Sequence, residues 1–371
     1  MISVKYFAPW KDHSGYGNAS RAFITALYCA GVNTTTELVV QVPEKSHYGL
    51  PEHIASSLEN RDIDYKIKIL HCTPDMIPRY MEAGKYHISH LFTETDRLPA
   101  SWIAPLNTVG EIWTASERQA QMFRGSGIRV PIHSFAQPIN IMAGEERIAP
   151  LEIRYKKDFT FYSIFQWIDR KNPRGLLRAY WREFEGNNNV TLLLKTYRVN
   201  YSEREYALIK SDIAAWRLEL NQGHYPKILL VNKLLQERDM PRIHAYADCY
   251  VNASSSEGWS RPVHEAIIMG KPVISADNGG ITDYLTEDSY YRVKSFPVVA
   301  TEVSHIPWYT KDQSWWDIDE ADLGNTMKTV FLETNRYARA GRAKQWAMEH
   351  TSYQEVGRQM KERLVQISRI F

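Results

Sequence analysis

Cysteine is scarce in this chain. Cys29, Cys72 and Cys249 are three in 371 residues, scattered, odd in number, and without a CxxC pair or metal-ligand spacing. A disulfide framework or a zinc site is thereby disfavoured, and a reducing cytoplasm is the expected location. Long hydrophobic runs are missing as well. Nothing approaches the roughly 18 apolar residues of a spanning helix, and the apolar start of the chain is too short for a signal peptide. Membrane contact, if any, is expected to be peripheral, at the inner face. Charge of one sign is not in excess, with 45 Lys and Arg against 43 Asp and Glu, so no overall field draws the chain to nucleic acid. With 44% hydrophobic and 24% charged residues and no low-complexity tract, the composition is that of an ordinary folded protein.

What is present is a repeated alternation of short β-rich runs with helical patterns, the habit of βαβ units and parallel sheets. A length of 371 residues suits two domains. Residues 2–8 read as a buried strand, followed by a loop through Gly15-Tyr16-Gly17. A helix comes next, carrying Ala19, Ala22, Phe23, Ala26, Leu27 and Ala30 and stopped by Gly31. Residues 111–114 read as a strand end, Ser116 and Gln119 as a capping box, and 128–135 as another strand. Between 137 and 157 the pattern lapses into Pro138, Gly144, Pro150 and clustered charges, which reads as a linker.

The plan then restarts with a strand at 159–166, a basic loop Asp169-Arg170-Lys171-Asn172-Pro173, and a helix carrying Leu176, Leu177, Tyr180, Trp181 and Phe184. Further strands are expected at 190–195, 227–232, 249–253 and 272–276. Tyr353, Val356, Met360, Leu364 and Ile367 make one apolar stripe on a last helix.

The most informative stretch is Glu257-Gly258-Trp259-Ser260-Arg261-Pro262-Val263-His264-Glu265, continuing to Gly270-Lys271-Pro272-Val273-Ile274. A strand ends near Ala253, a loop carries Glu257 and Gly258, and Ser260 is placed to cap a helix that tolerates Pro262 in its first turn. Two carboxylates then face the crevice where such sheets bind ligands, and the electropositive helix start between them suits a diphosphate.

This Glu, seven residues, Glu pattern, followed by GKPVI, is similar to the signature of retaining GT-B glycosyltransferases, glycosyltransferase group 1 or family 4-like. The resemblance implies an α/β fold of two Rossmann-like doubly wound domains facing a central cleft. Residues 1–150, joined by a C-terminal helix at about 346–371, would favour the acceptor, and residues 151–345 the donor. It implies a hexose moved with retention from a nucleotide-diphosphate sugar, UDP- or GDP-linked, to a hydroxyl acceptor, with no cofactor and no metal. Glu257 would touch the donor sugar, Glu265 the ribose, and Gly258, Trp259 and Ser260 would lie close by. Lys171 and Arg170 resemble the family's basic loop and would neutralise the leaving diphosphate. Gly15 and Gly17 resemble its N-terminal glycine loop. Lys195, Lys233 and Gly279 follow or end other strands of the donor half and join the donor-binding set.

In the first half, His90 and Glu94, within a TExxRLP-like stretch, are the candidates for a catalytic or acceptor-side group, with His13 as a competitor and a satisfied polar turn as the plain alternative. His71, Cys72, His87 and His90 fit no standard zinc spacing. Asp62/Asp64 and Asp317/Asp319 match the DxD of a metal-using glycosyltransferase fold, yet neither pair follows an apolar strand, so surface acids are expected. Trp315 and Trp316 would stack on an acceptor sugar or, more commonly, anchor a loop. Rival readings are a nucleotide-sugar epimerase of the same architecture and a non-catalytic sugar-nucleotide or glycan-binding protein. The acceptor itself, whether glycan, lipid-linked saccharide, protein or small molecule, is not written in the sequence.

Overall fold

The computed structural model describes residues 2–39, 49–145, 147–153, 158–300 and 308–371. The chain divides into two compact units, Met1–Ile141 with Ala347–Phe371, and Met142–Trp346.

The first unit is built on a parallel sheet of six strands: β1 (Ser3–Ala8), β2 (Asn33–Leu38), β3 (Ile67–Leu70), β4 (Tyr86–His90), β5 (Glu111–Thr114) and β6 (Ile132–Ser134). Their order is β2-β1-β3-β4-β5-β6, so chain direction across the sheet reverses between β1 and β3. The first helix, Gly15–Cys29, buries Ala19, Ala22, Phe23, Ile24, Ala26 and Leu27, and Gly31 closes the turn after it at φ +67. The helix starts at Gly15 itself, so Gly15-Tyr16-Gly17 is its first turn and not a loop. Ser14 accepts the Gly17 amide as its cap. The last helix, Tyr353–Ile370, sets Val356, Met360, Leu364 and Ile367 into the core of this unit. Gly357 makes its close approach possible, since a Cβ there would stand 2.1 Å from the Ala26 carbonyl oxygen.

One expectation here gives way, and one capping residue has further partners. Only Ile132–Ser134 of residues 128–135 pairs as a strand, because Pro131 has no amide to give the ladder and only its carbonyl is used, by Ile112 N. Ser116 caps its helix by accepting from Gln119 N, but the Gln119 side-chain oxygen takes the Thr93 amide at 3.1 Å and the Thr114 hydroxyl at 3.0 Å. It braces the ends of two strands.

The second unit repeats the plan with β7 (Phe159–Gln166), β8 (Val190–Tyr197), β9 (Lys227–Val231), β10 (Cys249–Asn252), β11 (Val273–Ala276) and β12 (Tyr291–Val293), all parallel. The order β12-β11-β10-β7-β8-β9 is doubly wound, with its switch point between β7 and β10. These strands read as continuous apolar runs because helices cover both faces. Phe161, Leu192, Leu194, Val251 and Ile274 meet Leu176, Leu177 and Tyr180 of the helix Pro173–Glu183 and Leu323 and Met327 of the helix Glu320–Leu332 in one core. An antiparallel hairpin follows, β13 (Ser295–Val299) with β14 (Ser314–Ile318).

Candidate active site

The switch point of the second sheet is where two loops meet. After β7 the chain makes a single turn, Asp169–Lys171, and reaches Asn172 at φ 48, whose side chain caps the next helix by accepting from Gly175 N. After β10 it runs through Ser254, Ser255 and Ser256 to Glu257. The loops are zipped together. Ser255 N donates to Arg170 O at 2.8 Å, and Arg170 Nη1 donates to Ser256 O at 2.7 Å. Lys171 Nζ donates to Glu257 Oε1, and Arg170 Nη1 stands 3.6 Å from Glu257 Oε2.

The second half of the clamp comes from the loop after β11. Gly280 N donates to Glu257 O at 2.8 Å, and Gly279, at φ +66, lies so close that a Cβ would sit 2.0 Å from that oxygen. Glu257 is only 8% exposed at its side chain. Burial pushes its carboxyl up, but Lys171 and Arg170, with hydrogen bonds from Lys171 and Ser254, outweigh that and hold it below the usual carboxylate range. Two cations meet one carboxylate beside the loop, an arrangement that favours an incoming anion.

Glu265 stands one turn into the helix Arg261–Ile268. Its Oε1 accepts from Arg261 Nε at 3.1 Å, and its Oε2 lies 3.6 Å from His244 Nε2. Burial raises its pKa as well, and His244 and Arg261 reverse the sign, leaving it lowered. Ser260 holds the N-cap position but does not act as the expected side-chain cap. At φ 60 and ψ 75 it is left-handed, and capping geometry needs an extended residue to aim Oγ at the first-turn amides. The helix start is therefore not closed by its own serine.

Around this core the other candidates separate. Trp259 is buried, with Nε1 donating to His264 Nδ1 at 3.1 Å and its ring 4.6 Å from that of Tyr284, so its indole supports the loop from inside. Gly258 adjoins Glu257 in the same loop. Lys195 lies inside β8, which runs two residues past it. It is buried, donates to Tyr201 Oη at 3.1 Å, and burial pushes it down to about 8. Lys233 is exposed just beyond β9, at the edge of the sheet.

In the first unit, His90 ends β4 and is fully buried, and so is His71 just after β3. Both Nδ1 atoms bond Tyr6 Oη, at 2.8 Å and 2.9 Å, so the phenol donates to one ring and accepts from the other. Burial pushes both histidines far below their ordinary value, His71 to about 3, and keeps them neutral. Tyr16, between Gly15 and Gly17, points its hydroxyl at Cys72 O and His90 O, each at 3.4 Å. Glu94 is half-buried near Tyr16, whose pKa it helps burial and Cys72 to raise. Gly17 packs on the loop before it, where a Cβ would stand 2.3 Å from Asp12 O. His13 lies beside Asp12, its Nδ1 3.8 Å from Asp12 Oδ1.

Asp62 and Asp64 are exposed, as expected of surface acids, but Asp317 and Asp319 are half-buried and structural. Asp317 accepts from Asn172 Nδ2 at 3.0 Å, tying β14 to the Lys171 loop, and Asp319 caps the helix Glu320–Leu332. Trp315 anchors the hairpin against Tyr309, and Trp316 N donates to Ser255 O at 2.9 Å. Among the described residues no three His, Cys, Asp or Glu side chains gather in a metal-ligating group. Sequence reasoning passed over His244, gave Asn172 no role of its own and expected Asp317 to be a surface acid; their roles come from partners 21 to 145 positions away and leave no local pattern.

Comparison with known proteins bears on this geometry. Residues 187–295 match the family profile described as Glycosyl transferases group 1. No curated protein matches the chain in sequence. Among solved structures, Anabaena HepE in complex with UDP-glucose is similar at a TM-score of 0.69 and 14% identity, over 99% of this chain and 100% of its own. Sucrose-phosphate synthase from Thermosynechococcus elongatus is similar at 0.70 and 12%, over 100% of both chains. Trehalose-6-phosphate synthase OtsA is similar at 0.68 and 11%, over 99% of both. The chain thus has the GT-B fold of two Rossmann-like domains, and residues 187–295 of its second unit are similar to the Glycosyl transferases group 1 profile.

Proposed function

We propose that this protein is a retaining, metal-independent glycosyltransferase that moves a hexose from a UDP- or GDP-linked donor to a hydroxyl acceptor. The observation that carries the reading is the Arg170, Lys171 and Glu257 cluster at the switch point of the second sheet, in the loop that leads into the helix Arg261–Ile268 carrying Glu265. That HepE was solved with UDP-glucose on the same fold supports a nucleotide sugar as the donor.

In this reading the second domain takes the donor and the first the acceptor. The departing diphosphate draws Lys171 and Arg170, and the start of the helix Arg261–Ile268 adds its dipole. Fixed cations aimed where negative charge grows supply the stabilisation a divalent ion gives elsewhere. Glu257 faces the sugar, Glu265 accepts from the ribose hydroxyls, and Gly279 acts by holding the Glu257 loop. Gly258 and Ser260 contribute backbone, and Lys195 stands by the donor phosphates. We assign His90 to the neutral Tyr6 network and leave Glu94, near Tyr16, as the acidic group of the first domain.

The test is to incubate the protein with a panel of UDP- and GDP-sugars, with and without EDTA, and follow free nucleotide. Release that survives EDTA and is lost in Glu257→Ala is expected, and an α-configured donor should give an α-linked product by NMR. Donor turnover undiminished in Glu257→Ala, or an inverted product, would overturn the proposal.

A further inference from the structure

His244 is buried, 1% exposed, in the helix Met240–Tyr246 that precedes β10. Its Nδ1 shares a 2.7 Å hydrogen bond with Tyr162 Oη, a fully buried phenol on the central strand β7. Its Nε2 is buried without a hydrogen-bond partner, and the carboxylate oxygen Glu265 Oε2 stands 3.6 Å away. That separation is too long for a hydrogen bond. A buried nitrogen left unpaired beside a carboxylate is costly, and a shift of a few tenths of an ångström satisfies both.

The proton order follows from the network. A carboxylate oxygen facing Nε2 favours the tautomer with hydrogen on Nε2, and Tyr162 Oη then donates to Nδ1. Arg261 holds the other oxygen, Oε1, at 3.1 Å. Each carboxylate oxygen is thereby braced from one side, so the lone pairs left over have a defined direction.

We propose that Tyr162 and His244 form a positioning relay that orients Glu265 for the two hydroxyls of the donor ribose, and so set the enzyme's preference for a ribonucleotide. The proposal rests on the assignment of Glu265 to the ribose. His244 touches no substrate atom and acts through Glu265 alone.

The experiment measures binding of UDP and of 2′,3′-dideoxy-UDP, with GDP and its dideoxy form in parallel, to the wild type and to His244→Leu, His244→Gln, Tyr162→Phe and Glu265→Gln. Removing a hydrogen bond to a charged group corresponds to about a tenfold weakening. His244→Leu is therefore expected to weaken the ribonucleotide about tenfold while leaving the dideoxy form within about twofold. His244→Gln, which returns an N–H near the Nε2 position, should recover part of the loss. In turnover the KM for the donor rises and kcat holds.

Tyr162→Phe keeps the ring and the fold while freeing the imidazole, and should move the ribonucleotide in the same direction by a smaller factor. Equal loss of both ligands in His244→Leu and Tyr162→Phe, or no loss in either, overturns the relay. Glu265→Gln separates the two ideas. If it abolishes ribose discrimination and the His244 variants do not, the relay alone is wrong. If Glu265→Gln leaves discrimination intact, the ribose assignment fails and takes the relay with it.

Discussion

Gly279 offers the sharpest test of how the Glu257 loop is held. Two separable penalties attach to Gly279→Ala. The first is conformational, since φ is +66 and a left-handed alanine costs about 1–2 kcal/mol. The second is steric, because the new Cβ would stand 2.0 Å from Glu257 O and 3.0 Å from Glu257 N, both backbone atoms that cannot rotate away. The loops must separate, and the Gly280 N to Glu257 O bond of 2.8 Å goes with them, at about 1 kcal/mol. Together about 3–5 kcal/mol is expected, which puts the variant at the severe end for a single substitution.

Gly270→Ala is the internal control, with the same φ of +66 but only Lys344 Cδ near its Cβ, at 3.9 Å. It should lose the conformational part alone. In a thermal melt, a domain of this size moves about 2–4 °C per kcal/mol, so about 10 °C is expected for Gly279→Ala against about 3 °C for Gly270→Ala. Nucleotide affinity should fall only in the former. If the two variants melt together and bind nucleotide equally, the close approach of Gly279 to Glu257 does not hold the loop and the argument is refuted.

Three further outcomes are expected. Lys195, pushed down to about 8 by burial, is charged below that pH and neutral above it. Nucleotide binding measured by calorimetry should weaken as pH rises through about 8, and Lys195→Arg should abolish that step. In the first unit His71 stays neutral down to about 3 and His90 is also lowered, whereas unfolded histidines protonate near 6.5. The unfolded chain then binds more protons, so stability falls as pH drops below about 6.5, by about 2 kcal/mol at pH 5 for His71, and His71→Gln should flatten the urea midpoint's dependence on pH. Gly357→Ala brings a Cβ within 2.1 Å of Ala26 O and should destabilise the first unit by about 2–4 kcal/mol in urea denaturation, with nucleotide binding by the second unit unchanged.

Much of this architecture is legible because parallel strands buried on both faces must be apolar throughout, and 159–166 announces β7 from end to end. The glutamates and the basic loop could be placed at strand ends for the same reason, and those strands proved to be β7 and β10, neighbours across the switch point. Where local pattern failed, a longer-range partner had prevailed. Residues 128–135 have the alternation of a strand, but Pro131 withholds the amide and pairing shrinks to Ile132–Ser134.

Ser260 shows why the chemistry itself was the harder part to read. A serine before a proline-started helix is a cap by every local criterion, and here its backbone is turned left-handed, with Tyr284 Oη donating to the carbonyl of Trp259 at 2.5 Å next to it. Trp259, expected only to lie close to the donor, is the wedge that fills the space beneath that turn, against His264 and Tyr284. A self-capped helix would have met its own first-turn amides with Oγ. Turning the serine away costs conformational energy and leaves an electropositive helix start one turn from Glu265, in the chain segment that follows the Arg170, Lys171 and Glu257 cluster. A local rule broken at the switch point of a doubly wound sheet, with the cost borne by buried aromatic packing, is what a binding site requires and a merely stable loop does not.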